Sequence, residues 1–69
     1  MKIEFSTRNY EWTYGKSPRG RGGWWFFFEG TYEFSYVGTY AEAKKACRDY
    51  IKSIAPADYV GTVIVEVGT

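Results

Sequence analysis

The 69-residue chain contains no histidine, no leucine and a single cysteine, Cys47. Each shortage excludes something. Without histidine there is no imidazole for acid–base work near neutral pH or for holding a metal. One cysteine closes no disulfide within the chain and makes no thiolate metal site, so packing must hold the fold together; a reduced cytosol suits such a chain. Helix-rich domains lean on leucine, and its absence beside abundant Tyr, Phe, Trp, Val and Thr points to sheet. No apolar run approaches the roughly 20 residues of a membrane span. Met1-Lys2-Ile3-Glu4 does not open a signal peptide. The expectation is a soluble, cytoplasmic protein with no membrane partner.

The remaining reactive side chains are poorly arranged for catalysis. Serines and threonines have no triad partner to activate them. Glu4, Glu11, Glu29, Glu33 and Glu66 fall at positions expected to be solvated strand faces. Gly15-Lys16-Ser17 has the tail of a phosphate-binding loop, but Tyr10 stands where that motif needs its first glycine. Gly20-Arg21-Gly22-Gly23 precedes a strand instead of linking a strand to a helix, so it is no dinucleotide fingerprint. The chain is therefore expected to be neither an enzyme nor a cofactor or metal carrier.

What is abundant is aromatic. Three Trp, seven Tyr and five Phe make up 22% of the chain, and large rings give a small domain much buried area per residue. Such a domain needs it, because a chain of this length buries only about 60% of its unfolded surface. Net charge is +1, too small to name a nucleic-acid partner by itself. The basic residues are clustered, however. Lys16, Arg19 and Arg21 occupy residues 15–23 with no acid, and Lys44, Arg48 and Lys52 recur every four residues.

Residues 2–6 and 10–14 alternate polar and apolar and read as half-buried strands. Residues 15–23, with four glycines and Pro18, read as a loop. Residues 24–29 and 32–37 form the strongest strand pair. Thr39 followed by Glu42 is a capping box, so a helix starts at Tyr40 and stops before Pro56. Residues 60–67 form a last strand. The expected fold is α+β: a mostly antiparallel sheet of four to five strands with a single helix on one face, in β-β-(β)-α-β order, as one domain over residues 1–69.

That architecture leaves a surplus. One helix is about 10 Å wide, while four strands span nearly 20 Å. Yet the run Trp24-Trp25-Phe26-Phe27-Phe28 is aromatic on both faces. A two-residue hairpin loop puts Trp25 and Phe27 with Tyr32, Phe34 and Tyr36 toward the core and leaves Trp24, Phe26 and Phe28 without cover; a three-residue loop swaps the sets. Three covers are open: the Tyr14–Gly23 loop, a second copy of the chain, or a different partner, protein or nucleic acid. The expected contact surface is Tyr14, Lys16, Arg19, Arg21, Trp24, Phe26 and Phe28, with Lys44, Arg48 and Lys52 as a secondary basic stripe. Aromatic and arginine residues are the usual interface hot spots.

Two resemblances bear on the partner. Val37-Gly38-Thr39-Tyr40-Ala41-Glu42-Ala43-Lys44-Lys45-Ala46, after Arg19-Gly20 and Trp24-Trp25, resembles plant ethylene-response-factor DNA-binding domains and integrase arm-binding domains over residues 19–50. In those families a three-stranded sheet packed on one helix lies in the DNA major groove. The resemblance implies DNA contacts from Arg19, Arg21, Trp24 and Phe26. In size and style the chain also resembles phage accessory proteins, of which anti-CRISPR proteins are one class. That likeness implies stoichiometric inhibition of a protein or nucleoprotein in the host cytoplasm. The reading carried forward is a small non-catalytic binding protein of this second kind. The alternatives are a sheet-type nucleic-acid binder and a homodimerising module.

Overall fold

The computed structural model describes residues 1–30, 32–56 and 58–68. Six elements follow in order: β1 (Lys2–Ser6), α1 (Arg8–Tyr14), β2 (Arg21–Phe28), β3 (Tyr32–Thr39), α2 (Tyr40–Ile54) and β4 (Thr62–Gly68). The class is α+β, with four strands in the order β1-β4-β2-β3. The sheet is mixed. β2 runs antiparallel to β3 and β4, but β1 pairs parallel with β4, Lys2 opposite Thr62. A connection through α2 makes this possible, because it returns β4 parallel to β3 on the far side of β2.

The predicted strand over residues 10–14 is instead the helix α1. Tyr-Glu-Trp-Thr-Tyr alternates, but five residues fit a helical period as well as a strand period. Contacts four apart decide it: the Thr7 hydroxyl donates to Glu11, and the Tyr10 and Tyr14 rings lie 4.6 Å apart. Gly15 ends the helix in the left-handed conformation, its N–H donating to the Glu11 carbonyl at 2.7 Å. Seven residues are too few to hold a helix alone. Tertiary contact supplies the rest: α1 packs on β4, and Tyr10 meets Trp24 at 5.7 Å.

The second helix follows the prediction closely. The Glu42 N–H donates to the Thr39 hydroxyl at 3.1 Å, and the Thr39 N–H donates to the Glu42 carboxylate at 3.0 Å. These bonds from Thr39 hold the Glu42 carboxyl below its usual range. α2 turns Ala43, Cys47 and Ile51 onto the sheet and packs on β2 and β3.

The core lies between this helix and one face of the sheet. Phe26, Val65 and Val67 are fully enclosed there, with Trp24, Phe28 and Val63 nearly so. The Trp24 indole N–H donates to the Gly38 carbonyl at 3.0 Å, so the ring is buried without an orphan donor. Cys47 is also fully buried, and loss of solvent raises its thiol from 9.0 to about 11. The thiol is therefore expected to ignore a disulfide reagent at pH 8 until urea unfolds the chain. The unfolded chain releases this proton near 9.0 and the folded chain near 11, so the folded state binds more protons between those values. Stability should then fall as pH rises through that window. A urea midpoint unchanged between pH 8 and pH 11 would contradict this.

The hairpin fixes which aromatics are inside. Phe28 pairs with Tyr32, so the loop holds three residues, of which Thr31 lies outside the described residues. Glu29 and Gly30 both have positive φ, at 55° and 72°. Trp24 thereby stands opposite Tyr36 and Phe26 opposite Phe34 on the helix side. This corrects the two-residue expectation: Trp24, Phe26 and Phe28 are core, and Trp25 and Phe27 are outside.

Candidate functional site: the open face of the sheet

Among the described residues no second layer of secondary structure covers the middle of the sheet face away from α2. Alternation brings Trp25 and Phe27 of β2, Glu33, Ser35 and Val37 of β3, Ile64 and Glu66 of β4, and Glu4 of β1 to it. Trp25 is 44% exposed and Phe27 38%, against 4% for Trp24 and 0% for Phe26. At one end α1 adds Trp12, which is 92% exposed. Asn9 of the same helix reaches Glu66 across 3.3 Å. Arg8, Asn9 and Trp12 share a surface depression with Ile64 and Glu66, so α1 extends the open face.

Phe27 sits in the centre of this face. Its cross-strand neighbours are Glu33 on one side and Glu66 on the other. Its ring leans diagonally over Gly68, where an added Cβ would collide with Cε2 and stand 2.9 Å from Cδ2. A glycine at this register position lets the ring lie down on the sheet. Toward the hairpin turn a shallow depression of about 460 Å³ remains, lined by Phe27, Glu29, Tyr32, Glu33, Ile64 and Glu66 among others. Its floor is apolar and its walls are carboxylates.

Among the described residues the ion pairs are Lys2–Glu4 at 3.2 Å and Lys45–Asp49 at 3.7 Å, both at the surface. Surface pairs of that kind contribute little. None of them neutralises Glu29, Glu33 or Glu66.

The predicted contact residues are scattered. Trp24, Phe26 and Phe28 are removed from any contact surface by burial under α2. Tyr14 is exposed but its ring packs against Tyr10 at a tilt of 44°. Lys16 and Arg19 are exposed in the segment between α1 and β2. Arg21 belongs to β2 instead of a loop, opposite Thr39, and its charge helps lower the Glu42 carboxyl. Lys44 and Arg48 lie on the other surface, where they cover the partly buried Phe5. The Lys44 ammonium is 6.0 Å and the Arg48 guanidinium 5.2 Å from that ring centroid. Lys44 also lies 5.0 Å over Tyr40, whose hydroxyl is raised by burial and partly lowered by Arg48. The stripe thus closes the core over edge strand β1, its long stems shielding apolar surface. Lys52 is exposed beyond it.

Trp12, Ile64, Glu33 and Glu66 stand outside the predicted contact set. For Trp12 the available signal is Gly15 as a helix stop together with the Thr7–Glu11 and Tyr10–Tyr14 spacings. For the other three it is strand alternation, which turns Glu33 away from Phe34, and Ile64 and Glu66 away from Val63, Val65 and Val67. Among the described residues no three of His, Cys, Asp and Glu converge as a metal site requires. No helix among them is long and apolar enough to cross a membrane. No family model, curated protein or solved structure matches the chain, so its site is read on its own chemistry.

Proposed function

We propose that the protein is a small, non-catalytic binding protein that acts by stoichiometric contact through the open face of its sheet. One observation carries the reading. Trp25 and Phe27 are held by rigid strands on a face with no covering layer, and Trp12 continues the same surface from α1. Exposed apolar patches rimmed by polar residues mark interaction sites, and Trp is the residue most enriched at energetic hot spots. Strands position these rings without ordering a loop on binding, which keeps the entropic cost low. The resemblance in size and style to phage accessory proteins gives the reading its setting: an anti-CRISPR-like protein in the host cytoplasm covering a surface of a host protein or nucleoprotein.

The charge on the face favours a protein partner over the alternatives. Glu29, Glu33 and Glu66, none of them in an ion pair among the described residues, would repel a phosphate backbone, and phosphate contacts dominate nucleic-acid affinity. Two copies meeting through this face would bring the same three carboxylates together, and like-charge juxtaposition across an interface costs several kcal/mol. The test is affinity capture from a candidate host, repeated with the purified captured partner. Trp25→Ala and Phe27→Ala should each weaken that complex by about tenfold or more, the effect of losing a hot spot of roughly 1.4–2 kcal/mol. If both variants hold the partner as tightly as the parent, the open face is not the site.

A further inference from the structure

The depression beside Phe27 restricts the partner further. Resting on the open-face reading above, we infer that it receives an arginine side chain of a partner protein. The floor of Phe27 and Ile64 matches the aliphatic stem, and Glu33 and Glu66 match the guanidinium. These two carboxylates flank Phe27 from neighbouring strands on either side, and Glu29 stands at the mouth. Strands lie about 4.8 Å apart, so the Glu33 and Glu66 backbones are separated by roughly 10 Å. A planar guanidinium reaching to both sides spans such a gap with charge-assisted hydrogen bonds. An ammonium is a compact point charge and bonds to one side at a time.

Three facts on the molecule converge on this occupant. The walls are anionic, and none of the ion pairs among the described residues neutralises them. Arg8, the cation of α1, shares the adjoining depression with Trp12 and Glu66 but makes no ion pair among the described residues. The Phe27 ring is drawn aside onto Gly68, which keeps the depression open in the absence of a ligand. An uncharged apolar segment would strand three carboxylates against a dry surface, and a buried unpaired charge is costly. A cation is the complement that satisfies floor and walls together.

The experiment titrates the full chain with a capped hexaarginine peptide, followed by amide chemical shifts and calorimetry. Saturable binding is expected, with the largest shifts at Phe27, Glu33, Ile64 and Glu66. The double variant Glu33→Gln/Glu66→Gln should weaken it by about tenfold or more, since hydrogen bonds to charged groups contribute roughly 1.5–3 kcal/mol. Asp49→Asn, which removes a carboxylate from α2, should change it less than about twofold. Hexalysine should bind at least about threefold more weakly. The inference is overturned by absent binding, by affinity indifferent to the glutamine pair, by equal binding of hexalysine, or by a short DNA duplex that shifts the same residues. It fails separately from the parent reading. If Trp25→Ala and Phe27→Ala disrupt the captured complex while the glutamine pair does not, the open face stands and the arginine falls. If none of them disrupts it, both fall.

Discussion

Phe26→Ala should cost about 3–5 kcal/mol and leave little or no cooperative unfolding transition at 25 °C. The phenyl ring is fully buried and touches three other aromatics: Phe5 at 5.7 Å, Phe34 at 6.4 Å and Tyr40 at 6.5 Å between centroids. It links edge strand β1, the hairpin partner β3 and the first turn of α2, so its removal opens a cavity that no single neighbour can fill. A domain of this length carries only about 3–10 kcal/mol in total, so this loss takes most of it. The adjacent Phe27→Ala provides the control. That ring lies on the outside of the sheet, and its loss should cost under about 1 kcal/mol. Urea denaturation followed by far-ultraviolet circular dichroism compares the two. Equal destabilisation would contradict the inside and outside assignment, and with it the location of the site.

Gly38→Ala should be the most damaging single-methyl change, at about 2–4 kcal/mol. Gly38 has φ of 154°, which L side chains rarely adopt, and an added Cβ would stand 2.7 Å from Tyr36 Cε1 and 3.0 Å from Glu42 Oε1. Three structural devices meet at this residue. Its carbonyl accepts the Trp24 indole N–H, the Tyr36 ring lies over it, and the capping carboxylate of α2 passes beside it. Displacing Glu42 undoes the capping box, whose loss alone accounts for about 1 kcal/mol. Thr39→Ala isolates that share, since it removes the hydroxyl that accepts the Glu42 N–H and adds no clash. Thermal unfolding of the pair should place Gly38→Ala well below Thr39→Ala. The reverse order would mean that the backbone at 38 adapts freely.

Much of the architecture was legible because it rests on local chemistry. Thr39 and Glu42 announce the start of α2, and Pro56 closes it. The alternation in residues 2–6, 24–29 and 32–37 locates β1 and the hairpin, although β2 begins at Arg21, inside the expected loop, and β3 runs on to Thr39. The last strand begins two residues later than the pattern suggests and ends at Gly68. What was not legible depends on parity and on distant partners. One extra residue in the Glu29–Gly30 turn moves every side chain of β2 to the opposite face, and no local feature of Trp24 or Trp25 distinguishes the two outcomes. Residues 10–14 have too short an alternating pattern to separate strand from helix. The uncovered aromatics of β2 were therefore assigned to the wrong face of the strand, and the acids that flank Phe27 come together only once β4 is known to lie beside β2.

The position of β4 also dictates when the fold can exist at all. β1 has one neighbour in the sheet, and that neighbour is β4, about sixty positions further along the chain, Lys2 meeting Thr62. During synthesis the hairpin and α2 can assemble as they emerge, but β1 has nothing to join. Only when the β4 segment leaves the ribosome does it insert between β1 and β2 and complete both ladders in one step. Such long-range closure is slow relative to helix or hairpin formation. Until then the edge of β2 and the core side of β1 remain open to other chains. For this protein the vulnerable interval is thus the time before β4 docks between β1 and β2.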